Sequence, residues 1–147
     1  MADREALVAL AERVERVTGP DRELDWLIAE AVGEVPVHSI RTIGFDYDWY
    51  RKPDEWTLWR AKDSEGRSVE TWTPKKRTAS LDAAMTLVDE NAFWRLGNDP
   101  ADFKATVTSG DGRAVDFDFH HAVAATPALA LTAASLRALA SKEAPHG

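Results

Sequence analysis

Apolar residues recur at steps of three and four along the start of the chain, and this helical period constrains the fold more than any other feature. The first stripe consists of Leu7, Leu10, Val14 and Val17. It predicts a helix over residues 3–18 that ends at Gly19, a residue suited to the left-handed backbone that closes many helices. The second stripe consists of Leu24, Leu27, Ile28 and Ala31. It predicts a second helix between Pro20 and Gly33, so two short helices open the domain.

From Val37 the pattern changes to the short runs typical of strands and hairpins. The predicted strands lie at residues 39–45, 55–62, 67–72, 93–96, 103–109 and 114–120. Turns are predicted at residues 64–66 and at 109–112, where the second contains an Asp-Gly pair. A helix capped by Ser80 and running to about Asn91 separates the two groups of strands. A last helix is predicted from the Thr126 cap and Pro127 through Leu139.

This order of elements predicts the fold class. Strands that follow one another through short turns form a largely antiparallel sheet, and the helices cover it, which makes the class α+β. A chain of 147 residues corresponds to one domain, expected over residues 1–140, with a polar tail at 141–147. The charged start of the chain is unlike a secretory signal, and no window holds 18 continuous apolar residues. We therefore expect a cytoplasmic protein that does not bind membranes.

Composition excludes several classes of function. The chain has no cysteine, which removes disulfide scaffolds, thiolate metal sites and cysteine nucleophiles. Its net charge of −7 argues against bulk binding of nucleic acid, because that binding needs a basic face that releases counterions.

The cationic and aromatic residues are concentrated in one part of this acidic chain. Residues 41–77 carry nine basic and seven acidic groups, and they hold four of the six tryptophans and both tyrosines. Aromatic faces beside guanidinium and ammonium groups are suited to gripping a nucleobase and a phosphate together. The segment is therefore the predicted site for a small anionic nucleotide, with no cofactor.

Three groups of candidate ligand residues follow. Stacking is assigned to Trp56, Trp59 and Trp72. Phosphate contacts are assigned to Arg60, Lys75, Lys76 and Arg77. Thr126, at the start of the last helix, offers backbone N–H donors to an anion. The structural alternative is open for each group: tryptophans often fill a core, and a run of three basic residues is often a solvated turn.

Signals for an enzyme are weak. His120 and His121 are adjacent, so on a strand their rings point to opposite faces and cannot chelate one metal in the usual way. His38 and His146 complete no metal-ligand spacing. No catalytic residue and no metal site is predicted.

Three stretches together resemble the phage ABA sandwich domain family: residues 18–33 (TGPDRELDWLIAEAVG), 78–88 (TASLDAAMTLV) and 125–139 (ATPALALTAASLRAL). The family is related to the Thoeris anti-defence sponge proteins, and its name describes helices on both faces of a sheet. At Arg77 this chain lacks the aromatic residue usual before the Thr-x-Ser motif. Residues 45–76 also form a longer hairpin region than a typical member has.

The resemblance implies a function. Sponge proteins of this kind sequester cyclic ADP-ribose isomers, and some also hold cyclic oligonucleotides, so that a bacterial immune signal does not reach its effector. It therefore implies tight binding without turnover, a homo-oligomer with ligands near subunit contacts, and a location in the cytoplasm of the host bacterium.

Two other functions stay open. An acidic surface could mimic nucleic acid and steer the protein to a basic groove, which would make it an accessory phage protein or an inhibitor of a host defence protein. Hydrolysis of the messenger is the least supported function.

Overall fold

The computed structural model describes residues 3–40, 48–62, 68–109 and 118–142. In these ranges it contains helices α1 (Arg4–Arg16), α2 (Arg22–Ala31), α3 (Leu81–Met85) and α4 (Pro127–Lys142). The strands are β1 (Ser39–Ile40), β2 (Tyr50–Arg51), β3 (Leu58–Ala61), β4 (Val69–Trp72), β5 (Trp94–Asp99), β6 (Asp102–Thr108) and β7 (Phe119–Ala124). The predicted α+β class is confirmed.

The helices begin at polar caps that the sequence supplies. Asp3 accepts a hydrogen bond from the backbone N–H of Ala6, and Asp21 accepts one from Leu24, at 2.9 and 3.0 Å. The predicted Ser80 cap accepts from Ala83, at 3.3 Å. Each capping side chain accepts a hydrogen bond from an N–H group of the first helical turn, which has no acceptor within the helix itself.

The ends of two predicted helices need correction. Gly33 closes α2 in the left-handed conformation, with a φ of 79°, as predicted. Helix α1 instead ends at Arg16, because the backbone of Val17 is already extended. The predicted closing residue of α1, Gly19, does not have a positive φ. The mid-chain helix, predicted to reach Asn91, ends at Met85. Backbone N–H groups after that point bond to carbonyls three residues back, so the last turns tighten out of the α-helical pattern.

The described strands form two sheets, where the sequence predicted one. The first has the order β1-β2-β3-β4, with β1 parallel to β2 and the other pairs antiparallel. The second is the antiparallel sheet β5-β6-β7. The two-residue β2 was not predicted. The last strand, predicted at 114–120, is described as β7 at Phe119–Ala124, and residues 114–117 of that prediction lie outside the described residues. The predicted turns at 64–66 and 110–112 lie outside the described residues.

The main core lies between α1, α4 and one face of the second sheet. Small residues of β6 and β7, Ala105, Val107, Ala122 and Ala124, are buried there against the helices. Helix α4 is buried from Ala128 to Leu136, and its many alanines let the helix approach the sheet closely. Because side chains alternate along a strand, every second residue of β5, β6 and β7 lies on the opposite face of this sheet.

Within the described ranges, no helix has both the length and the apolar character needed to cross a bilayer.

Candidate functional site

Trp26 of α2 joins the helical part of the protein to the first sheet. Its ring lies 5.9 Å from Trp56 and 5.9 Å from Trp72, centroid to centroid, and meets His38 edge-on at 5.3 Å. Trp26 is only 3% exposed. We call these four residues with Arg51 the tryptophan cluster, since the Arg51 guanidinium lies 5.5 Å from the Trp26 ring and 5.0 Å from Trp56.

Two further cation–ring contacts lie along the β2–β3 hairpin. The Lys52 ammonium lies 4.6 Å from the centroid of Trp59, and the Arg60 guanidinium lies 4.5 Å from that of Trp49. The Trp59 indole also donates a hydrogen bond to Glu55 at 3.0 Å. Cations and rings of residues 49–60 therefore lie in direct contact with one another.

A tight turn sets this arrangement. The backbone N–H of Glu55 donates to the carbonyl of Lys52 at 3.2 Å, and Asp54 between them has a positive φ of 62°. Proline fixes the second position of such turns, and aspartate is among the few residues that tolerate a left-handed third position. The Pro53-Asp54 pair is the sequence signal that would have revealed the turn and the short strand before it.

The strand register separates the three predicted stacking residues. Leu58 is opposite both Arg51 and Trp72, which puts these side chains on one face of the sheet. Trp59 is opposite Tyr50 and Thr71 and belongs to the other face. Trp56 and Trp72 therefore converge on Trp26, and Trp59 does not join them.

The predicted phosphate-binding cations have different environments. Arg60 forms an ion pair with Glu70, its neighbour across β3 and β4. Lys75 lies 3.8 Å from Glu34, and Lys76 is exposed. The side chains of Arg60, Lys75 and Lys76 are each at least partly accessible to solvent.

Arg77 needs correction, because its side chain is fully buried. Its Nη2 donates to Glu34 at 2.5 Å and its Nε donates to Thr86 at 3.1 Å, while its carbonyl accepts from Thr132 of α4 at 3.0 Å. A buried charge requires such partners, since desolvation of an unpaired guanidinium is costly. Arg77 therefore joins three parts of the core and is not a surface ligand for phosphate.

Thr126 caps α4: its hydroxyl accepts a hydrogen bond from the N–H of Leu129 at 3.2 Å. The predicted cap is confirmed. The hydroxyl takes up one of the N–H donors that the sequence analysis offered to an anion.

Asp25 and Thr78 form a buried pair that sequence reasoning missed. Asp25 accepts hydrogen bonds from the N–H and the hydroxyl of Thr78, both at 2.9 Å, and Thr78 accepts from the N–H of Asp21, also at 2.9 Å. Burial raises the pKa of the Asp25 carboxyl, and the bonds from Thr78 act against that rise. The pair holds α2, and with it Trp26, against the segment that follows β4.

The two adjacent histidines lie on opposite faces of β7, as the alternation of a strand predicts. His120 Nε2 lies 2.9 Å from the Ser109 hydroxyl, on the face that α4 covers, and His121 Nδ1 lies 3.0 Å from Thr106 on the other face. Burial lowers the pKa of His120. Ser109 is itself buried, so this hydroxyl–imidazole contact is part of the packing against α4.

Among residues 3–40, 48–62, 68–109 and 118–142, no three histidine or acidic side chains come together as a metal site would require. No family model, curated protein or solved structure matches the chain.

Proposed function

We propose that this protein captures a small anionic nucleotide, of the cyclic nucleotide or ADP-ribose type, and holds it without turnover. In the phage setting implied by the resemblance to the ABA sandwich and Thoeris anti-defence sponge proteins, capture keeps an immune messenger from its effector. The mechanism is mass action, so the dissociation constant must lie below the working concentration of the messenger. A value of tens of nanomolar corresponds to about −10 kcal/mol.

The observation that carries the proposal is the direct contact of cations with indole rings in the β2–β3 hairpin. On one face of the first sheet, the guanidinium groups of Arg51 and Arg60 each lie within 5.0 Å of the centroid of a tryptophan ring. A ring that already accepts a cation on one side can stack a base on its other side, and the cation can meet a phosphate. One hairpin thus offers contacts suited to both the base and the phosphate of a nucleotide.

Of the two faces of the first sheet, the face that carries Arg51 is better suited to this ligand. Arg60 and Trp72 share that face with Arg51, and the tryptophan cluster lies along it. We assign base stacking to Trp56 and Trp72, and phosphate contact to Arg60, with Lys75 and Lys76 following β4 as further cations. Glu70 is the present partner of Arg60, so a bound phosphate replaces that carboxylate.

The acidic helices give less support to the alternative of a nucleic-acid mimic. Glu12 pairs with Arg16 and Glu23 with Arg13, both at 3.8 Å, and Glu15 pairs with Arg137. These pairs intersperse positive charge among the acidic groups of α1 and α2. A protein that mimics nucleic acid instead needs a surface of one sign.

The test is calorimetric titration of the purified protein with cyclic mononucleotides, cyclic dinucleotides and cyclic ADP-ribose isomers. One class is expected to bind with a dissociation constant of tens of nanomolar or below and to quench tryptophan fluorescence. Heating the complex should release the ligand with its mass unchanged. Failure of every nucleotide to bind would sink the proposal, and release of a converted product would make the protein an enzyme.

Three charge variants sharpen the test. R60Q should weaken binding by about ten- to a hundredfold, since a charge-assisted hydrogen bond to phosphate contributes roughly 1.5–3 kcal/mol. E70Q frees Arg60 and should leave binding equal or tighter. K52Q is the matched control, because Lys52 contacts Trp59 on the other face, and it should change the affinity by less than about twofold. Light scattering on the complex tests the homo-oligomer that the resemblance implies.

A further inference from the structure

The two edges of the second sheet differ in how their outer backbone groups are bonded. Strand β7 forms one edge, and side chains from two helices bond to it. Glu15 of α1 accepts a hydrogen bond from the N–H of Val123 at 3.3 Å, and Arg137 of α4 donates to the carbonyl of His121 at 3.2 Å. These bonds protect β7, since an edge strand with open backbone groups is a template for pairing with another chain.

Strand β5 forms the other edge, and its outer backbone groups are open. The N–H of Thr108 donates to the carbonyl of Phe93 at 2.9 Å, so the backbone of residue 93 faces β6. Backbone groups alternate in direction along a strand, and those of Trp94, Leu96 and Asn98 therefore face away from β6. Within the part of the chain that the structure describes, no strand or side chain bonds to these outward groups.

The helix-side face of β5 is covered only in part. Leu96 packs against the core, and Trp94 lies on the same face because side chains alternate along a strand. Helix α4 packs over β6 and β7 rather than over β5. The indole of Trp94 is 43% exposed as a result. A partner that extends the sheet beyond β5 covers this ring as well as the outer backbone.

The sequence of β5 suits pairing with a second, antiparallel copy of itself. Such a copy can place Leu96 opposite Leu96 of its partner, which pairs Trp94 with Asn98 across the contact and uses every outward group. Arg95 then lies opposite Gly97 of the other copy. Gly97 has open space where a side chain would be, so the arginine side chain meets no obstruction there.

The nearest alternative registers, shifted by two residues, are less favourable. In one of them Arg95 lies opposite Arg95 of the second copy, and like charges directly opposite each other destabilise a strand pair. In the other, Trp94 lies opposite Pro100, which has no N–H to donate. The register centred on Leu96 avoids both faults, so β5 is complementary to itself in one alignment.

We propose that β5 is a dimerisation edge, at which two copies of this chain join their three-stranded sheets into one continuous sheet. The two-fold axis passes through the Leu96 pair, and Trp94 of each copy lies diagonal to Leu96 of the other, within reach of an aromatic side chain. This edge shares no residue with the tryptophan cluster, so the proposal stands independently of the proposed function.

The size of the contact sets its strength. It consists of about six hydrogen bonds between the strands and the apolar surface of two indoles. Such an interface falls below the roughly 1,200 Å² at which stable complexes begin. We therefore expect a reversible dimer with a dissociation constant in the micromolar range.

The first test is sedimentation velocity of the full-length protein, without nucleotide, from low-micromolar to near-millimolar concentration. The sedimenting species should change from one chain to two. Amide hydrogen exchange of the ¹⁵N-labelled protein should then locate the contact. The N–H groups of Trp94, Leu96 and Asn98 should become protected as the dimer forms, whereas those of Arg95 and Gly97, already bonded to β6, should change little.

Variants at the edge provide the second test. N98P removes an outward N–H and no bond to β6, and proline is tolerated at such edge positions. It should weaken dimerisation by at least about tenfold, since two bonds between the copies are lost. N98A is the matched control, because it keeps the N–H, and it should dimerise like the wild type. W94K leaves the backbone groups in place and should also weaken dimerisation, because it replaces the indole with a charge. Circular dichroism checks that each variant is folded.

Three results would overturn the proposal. The first is a monomer at every concentration, which leaves this edge to a strand of another protein or to none. The second is a dimer that N98P and W94K do not weaken, or whose formation protects amides elsewhere in the chain. The third is a series of oligomers that keeps growing with concentration, since pairing about a two-fold axis stops at two copies.

Discussion

The two sheets differ in how far their aromatic residues are buried. In the first sheet, the rings and cations contact one another, and Trp26 from α2 completes the cluster. In the second sheet, the helices pack on one face, and Phe93 and Phe119 on the other face are 67% and 60% exposed. Aromatic residues thus form a buried cluster where α2 packs over them, and they are largely exposed on the face of the second sheet that lies away from α1 and α4.

The largest expected effect comes from removing the residue that completes the cluster. Trp26→Ala should lower the free energy of unfolding by about 3–5 kcal/mol, because it deletes a buried ring that contacts two other indoles and a guanidinium. Urea denaturation measures the change. A loss below about 1 kcal/mol would mean that the first sheet does not depend on α2.

A second change tests the buried ion pair beside the cluster. Arg77→Met should cost about 2–4 kcal/mol, somewhat less than breaking a fully buried pair, since its partner Glu34 remains partly exposed. The double variant R77M/E34Q should recover part of the loss, because it no longer leaves a carboxylate without its cation. Urea denaturation of the single and double variants measures this coupling.

The third prediction concerns pH. Burial raises the pKa of Asp25 above 3.8, so the folded protein binds this proton more tightly than the unfolded chain does. The contribution of Asp25 to stability is therefore largest in acid and falls as pH rises from about 3.8 through the raised value. The free energy of unfolding of wild type minus that of D25N should decrease across this window. A difference independent of pH would contradict the raised pKa.

The smallest effect on stability is expected at the exposed ring of Phe119 on the second sheet. Phe119→Ala should change the free energy of unfolding by no more than about 0.5–1 kcal/mol, because the ring is mostly exposed. The measurement is again urea denaturation. A loss comparable to that of Trp26→Ala would mean that Phe119 is a packing residue, and the contrast between the two sheets would then fail.

Much of the helical structure was predictable from local pattern. The stripes that begin at Leu7 and Leu24 identified α1 and α2, and Ser80 and Thr126 identified two helix starts through their capping oxygens. These features depend on residues within one or two turns of each other. The predicted ends of α1 and α3 were less accurate. The position of a helix end depends on whether a few backbone N–H groups still bond to the carbonyl four residues earlier.

The candidate site was predictable only in part. The convergence of Arg51 and Lys52 with nearby rings follows from a turn of four residues, and its Pro53-Asp54 signal was available in the sequence. The separation of Trp59 from Trp72 depends on strand register, and a shift of one residue would reverse it. The burial of Arg77 depends on Glu34, which is distant in the sequence.

The sequence by itself determined the α+β class, the helical stripes, the caps and the opposite faces of His120 and His121, because each of these follows from periodicity or from neighbours along the chain. Only the tertiary structure decided that the strands form two sheets, that Trp26 covers one of them, and that Arg77 is enclosed. It also decided that Phe93 and Phe119 lie largely exposed on the face of the second sheet away from α1 and α4. The physical reason is that burial and charge pairing join residues far apart in the chain, and local pattern carries no information about which faces meet.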